Sequence, residues 1–197
     1  MIDTLTVAVI VLSILVLGLV AAVFALARQV GIIYERIAPM GALTMDAGPK
    51  VGEAAPLFDL IDLSGERIEI GRSATVSTLL FFLSPTCPVC KKLLPILKST
   101  AKSEQSWLRI VFASDGERTA QEKFRAATKL ERFPYLLSSE LGMTFKVSRL
   151  PYAILIDEQG RVRSKGLVNS REQIESLFNA KELGVATVQE YLGAAHN

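Results

Sequence analysis

A chain of 197 residues has room for one domain of ordinary size and an appended segment. Half of its residues are hydrophobic, with the excess concentrated in the first thirty, and a net charge of +2 without a basic stripe argues against nucleic acid as a partner. Its two cysteines, Cys87 and Cys90, exclude a small fold stapled by disulfides, because a bridge between them closes almost no loop.

Thr4 to Ala27 contains no charged residue over 24 positions, enough for a helix to cross a hydrocarbon core of about 30 Å. The competing reading is a cleaved signal peptide. The long apolar run and the acidic start Met1-Ile-Asp3 favour a retained anchor over residues 1–28. Arg28 and Arg36 follow the span, so the positive-inside rule alone would put the C-terminal side in the cytoplasm. Residues 29–50 read as a juxtamembrane stem and linker, broken by Pro39, Gly41 and Gly48-Pro49. A folded domain is expected over 51–197.

Within that domain, Phe58 to Ile70 reads as two short strands turning at Ser64-Gly65. Val76 to Leu83 is a continuous apolar run, as a strand buried on both faces requires. A helix is expected over Pro88–Lys102, a buried strand over Trp107–Ala113 and a helix over Glu117–Leu130. A short strand over Pro134–Leu137 precedes a helix over Ser139–Lys146. Tyr152–Asp157 and Arg161–Val168 form a predicted hairpin turning at Gln159-Gly160. Helical patterns follow over Arg171–Ala180 and Thr187–Ala194. This order predicts an α/β sandwich around a mixed central sheet flanked by helices.

Reactive chemistry is concentrated in Cys87-Pro88-Val89-Cys90. At a helix start, residues three apart share a face, so the two sulfurs can meet. Cys87 falls where free backbone N–H groups and the helix dipole stabilise a thiolate. Pro88 suits the first turn, and Lys91 and Lys92 add positive potential. Cys87 is therefore the expected nucleophile and Cys90 the resolving thiol. A structural zinc site would need four ligands, and the only other Cys or His is His196 near the C-terminus. Pro95 stands inside the expected helix, where propensity gives it no place and a kink is expected. Leu150-Pro151 precedes a strand pattern, which suits either a cis bond at a tight turn or an ordinary trans proline.

Cys87-Pro-Val-Cys90 with Lys91 and Pro95, then Leu150-Pro151 before a strand and Gly166 after the next one, resembles the thioredoxin fold. Pro56-Leu-Phe58-Asp-Leu-Ile-Asp-Leu-Ser-Gly65 resembles the membrane-anchored extracytoplasmic redoxins. With the stem Gly31-Ile-Ile-Tyr-Glu-Arg-Ile-Ala-Pro-Met-Gly41 and the run Phe82 to Leu93, nearly the whole chain resembles the MauD family of methylamine utilization proteins. The resemblance implies a thioredoxin-like domain behind an N-terminal transmembrane helix. It implies a substrate groove at Pro151 and Leu150, and an active-site turn that includes Thr86, Pro88 and Val89. It also implies thiol-disulfide exchange in the maturation of methylamine dehydrogenase, with its disulfide-rich small subunit as client. A redox partner would recycle the cysteine pair, and no cofactor or metal is implied beyond the Cys87–Cys90 disulfide. The domain would lie in the periplasm, anchored in the inner membrane, against the weak charge rule.

One departure stands out. Thioredoxin carries a buried acid six residues before its first cysteine, where this chain has Phe81, and Val76 to Cys90 contains no Asp or Glu. Three competing functions follow. A periplasmic thiol reductase for cytochrome c maturation or other clients would use the same pair. A peroxidase of the alkyl hydroperoxide reductase type would need proline at Leu80, although Ser84 fits its pattern. A non-catalytic chaperone would hold the client at Pro151. Trp107 reads as core or rim packing, and Asp115, Glu117 and Arg118 as a solvated loop.

Overall fold

The computed structural model describes residues 12–24 and 48–183, together with Thr6 and Ile10. The chain divides into two units, Met1–Met45 and Asp46–Asn197. In the first, residues 12–24 form helix α1, with every described side chain exposed. Among the described residues no helix is long and apolar enough to cross a membrane. The expected span Thr4–Ala27 lies partly outside the described residues. The stem up to residue 47, the pattern Thr187–Ala194 and His196 lie wholly outside them.

The second unit is built on β3 (Ser77–Phe82), whose six residues are all buried. It pairs in parallel with β4 (Leu108–Ser114) and antiparallel with β6 (Tyr152–Ile156). β5 (Tyr135–Leu137) extends the sheet beyond β4, and β7 (Val162–Leu167) beyond β6, in the order β5-β4-β3-β6-β7. The expected mixed sheet is therefore present. β1 (Phe58–Ile61) and β2 (Arg67–Ile70) form a separate antiparallel hairpin. Its turn is closed by Asp62, whose carboxylate accepts the N–H groups of Ser64 (2.7 Å) and Glu66 (2.9 Å).

Strand alternation divides the interior in two. Leu79 and Phe81 of β3 and Leu83 just after it join Leu108, Ile110 and Phe112 of β4 in one core, shared with α2 (Pro88–Ser103) and α5 (Arg171–Leu183). Leu80 and Phe82 join Val111 and Ala113 in the other. That core is closed by Ile68 and Ile70 of the hairpin and by Leu141 and Phe145 at α4 (Ser139–Thr144). α2 buries Cys90, Leu93, Leu94 and Leu97, the repeat of one helix face. At about 1.5–3 kcal/mol for each buried leucine, this stripe fixes the helix to the sheet. α2 runs as one helix through Pro95 to Ser103.

Two helices end earlier than their periodicity predicts. α3 (Arg118–Ala127) stops before Lys129 and α4 before Lys146, and both lysines have φ of 55°. Leu130 N–H donates to Arg125 O and Lys129 N–H to Ala126 O, while Val147 and Lys146 repeat the pattern onto Gly142 and Met143. These are Schellman closures with lysine where glycine is usual, so nothing in the sequence announces them.

Candidate active site

β3 delivers the chain to the site. Leu83 N–H donates to Ala113 O (3.0 Å), and the buried Ser114 Oγ donates to Leu83 O (2.9 Å). The turn beyond is tied to Ser84, whose carbonyl accepts Cys87 N–H (3.1 Å) and whose Oγ lies 2.9 Å from Thr86 Oγ1. Cys87 is the N-cap of α2, with extended backbone (φ −82°, ψ 111°), and Pro88 occupies the first turn, where a missing N–H costs nothing.

The two sulfurs form a disulfide with Cα atoms 5.3 Å apart. Cys90 N–H donates to Cys87 Sγ at 3.1 Å. Cys87 is half-buried and Cys90 has no exposure, so one sulfur is approachable and the other is not. Thr86 and Pro88 are exposed and Val89 half-buried. No acidic residue stands in the first turn of α2, and Lys91 and Lys92 are exposed there. The reduced Cys87 sulfur would thus sit at the positive end of a 16-residue helix, already accepting a backbone N–H, the environment that favours thiolate over thiol.

The opposite wall comes from β6. Tyr152 pairs with Phe82, which brings Pro151 to the sheet end where β3 stops. The Leu150–Pro151 peptide is cis, the alternative that the residues alone left open. Pro151 is buried and its carbonyl accepts Val168 N–H (3.2 Å), while Leu150 is 39% exposed. An apolar side chain thus stands at the surface beside a fixed backbone turn.

Behind the cysteines, Phe81 is fully buried and packs edge-to-face on Phe112, ring centroids 6.0 Å apart. Aromatic packing fills the place of thioredoxin's acid. Nearby Tyr135 is buried, and burial pushes its phenol up to about 12, so it stays neutral and donates to Gln121 Oε1 (2.6 Å). Gln121 in turn donates to Asp115 O (2.5 Å). Sequence reading missed Ser114, Gln121 and Tyr135, since no motif marks a polar side chain that serves one carbonyl or one phenol. Trp107 packs edge-to-face on Phe178 (5.3 Å) and donates to Glu104 (2.8 Å), a packing role. Asp115, Glu117 and Arg118 are exposed. Among the described residues no group of three or more His, Cys, Asp or Glu could hold a metal ion.

The thioredoxin-like family profile matches residues 76–162, from the central strand to the start of β7. The methylamine utilization protein MauD of Methylorubrum extorquens is 44% identical over 178 residues, covering 89% of this chain and 86% of that protein. The thiol-disulfide oxidoreductase ResA of Bacillus thuringiensis is 30% identical over 142 residues, covering 68% of this chain and 80% of ResA. The crystal structure of StoA from Bacillus subtilis superposes with a TM-score of 0.55 at 27% identity, covering 64% of this chain and 99% of StoA.

Proposed function

The chain belongs to the MauD family of methylamine utilization proteins, and from that premise we propose that it matures methylamine dehydrogenase by forming or isomerising disulfides in the small subunit. The coarser activity is thiol-disulfide exchange through a thioredoxin-like domain, linked to methylamine utilization. The observation that carries the exchange activity is the asymmetry of the pair: Cys87 is approachable and capped by a backbone N–H, while Cys90 is sealed beneath it. The choice of client is supported by the similarity to the MauD proteins.

In the oxidising direction a client thiolate attacks Cys87 Sγ, the Cys87–Cys90 bond breaks, and Cys90 leaves as a thiolate. A second client thiolate then attacks the client sulfur of the mixed disulfide and expels Cys87 as a thiolate. The client gains one disulfide, and the pair gains two electrons, which a thiol-oxidising partner removes. In isomerisation, the Cys87 thiolate opens a wrong client bond and a client thiolate later displaces it, with no net electron transfer. Pro151 and Leu150 hold the client strand across from Cys87. Residues 1–28 anchor the protein in the inner membrane with its redox domain in the periplasm, an oxidising compartment that suits a disulfide handler.

A Cys90→Ala variant lacks the resolving sulfur and accumulates the mixed disulfide. Mass spectrometry of the trapped species is expected to show the methylamine dehydrogenase small subunit joined to Cys87. Trapping only unrelated thiol proteins would remove the dehydrogenase from the proposal, and trapping none would remove the exchange mechanism.

A further inference from the structure

The end of the sheet farthest from the cysteines holds a cavity of about 220 Å³, lined by Arg67, Glu69, Arg72, Ser73, Ala74 and Arg109. Arg109 is the second residue of β4 and pairs in register with Thr78 at the start of β3, so its distance from the disulfide is set by the length of the sheet. Arg67 and Glu69 come from the solvent face of β2, and Arg72 to Ala74 from the segment that enters β3.

Three guanidinium groups converge there with one carboxylate, giving the lining an excess of two positive charges. Their acceptors are few. Arg72 meets Glu69 at 3.4 Å, Arg67 is held by Asp59, and Arg109 reaches Glu69 O and Thr78 Oγ1 only at 3.3 Å. Arg109 Nε is buried and has no acceptor. Burial also lowers the Arg109 pKa, which means that its charge is under-compensated where it stands. Leaving a buried charged donor unpaired costs stability unless a ligand supplies the acceptor. Guanidinium forks match the paired oxygens of a phosphate better than any neutral group.

We propose that this cavity binds a phosphate group, with Arg72 and Arg109 as its principal donors and Arg67 at its rim. The site is separate from the redox centre and does not take part in exchange. A free phosphate ion and the phosphomonoester headgroup of a lipid carry the same recognised oxygens.

The test uses the full chain in sugar-headed detergent micelles, with two probes. Inorganic phosphate is titrated against chloride at matched ionic strength, and phosphatidic acid is mixed into phosphate-free micelles. Two signals are read: the Arg109 Nε–H resonance and the thermal midpoint. Either probe is expected to move both, because a ligand that binds the folded state raises its apparent stability. A response to the soluble ion assigns the free anion, and a response to phosphatidic acid alone assigns the headgroup. Arg72→Gln, at an exposed position, is expected to weaken binding about tenfold or more, as loss of a charged hydrogen-bond partner does. Arg109→Gln should do the same if it folds. No response to either probe, or an equal response in Arg72→Gln, overturns the site.

Discussion

The two ends of the central sheet are built from different chemistry. Where β3 begins, the structure is tied by charge. Asp157, with 1% side-chain exposure, accepts the N–H groups of Gln159 (3.0 Å) and Arg161 (2.8 Å) and pairs with Arg163 at 2.5 Å. Ser77 donates to Glu158 at 2.9 Å. The turn at Gly160 lies so close to Gly71 that a Cβ there would collide with the Gly71 carbonyl, and both glycines have positive φ. Where β3 stops, Leu83 to Cys90 contains no ionisable side chain except the two cysteines. Backbone donors, two prolines and hydroxyls shape that end. One end holds the fold and the other leaves a sulfur whose reactivity is set by a helix start.

The comparison can be broken by exchanging the roles. Cys87→Ser with Cys90→Ser is expected to reduce disulfide exchange to the uncatalysed background. Its stability cost is at most about 2 kcal/mol, because the closed loop is so short. If dehydrogenase maturation survives this change, the domain acts as a holding chaperone and not as an exchanger. Asp157→Ala at the other end should do the reverse. It strips acceptors from two backbone N–H groups and leaves Arg163 without its partner, a loss of about 3 kcal/mol in denaturant unfolding. The exchange rate of the folded protein should stay within about twofold. A large loss of rate would show that the two ends are coupled.

Tyr135 provides the smallest effect and a pH test. Its pKa in the fold is raised to about 12 from an ordinary value of 10.0. Below pH 10 the phenol is neutral in both states, so its contribution is fully present and stability does not vary with pH on its account. Between pH 10 and about 12 the unfolded chain releases this proton while the folded chain keeps it, so stability falls as pH rises. Tyr135→Phe should flatten that part of the alkaline unfolding profile relative to the parent. An unchanged slope would show that the phenol is not held neutral.

Much of this architecture was legible from residue patterns, for reasons that can be named. The apolar run Val76–Leu83 had to be a strand buried on both faces, and β3 is one. Cys87 and Pro88 announced a helix start, and they supply the N-cap and first turn of α2. The ends of α3 and α4 were hidden, because Lys129 and Lys146 take a backbone conformation that sequence readers assign to glycine. The state of the Leu150–Pro151 peptide was undecided, since a turn proline reads alike in either form. The far end was hidden for another reason. Asp157 with Arg163, and Arg72 with Arg109, look like ordinary surface charges until the fold brings each pair together, and that juxtaposition is not written in any one stretch of chain.

The claim that the helix start activates Cys87 has a direct measurement. The alkylation rate of Cys87 in the reduced protein, followed against pH in the Cys90→Ala background, reports its thiol pKa. A midpoint well below the ordinary value of about 8.5 is predicted, with the thiolate dominant at neutral pH. A midpoint at or above about 8.5 would contradict the account, because the backbone N–H and helix dipole would then confer no activation.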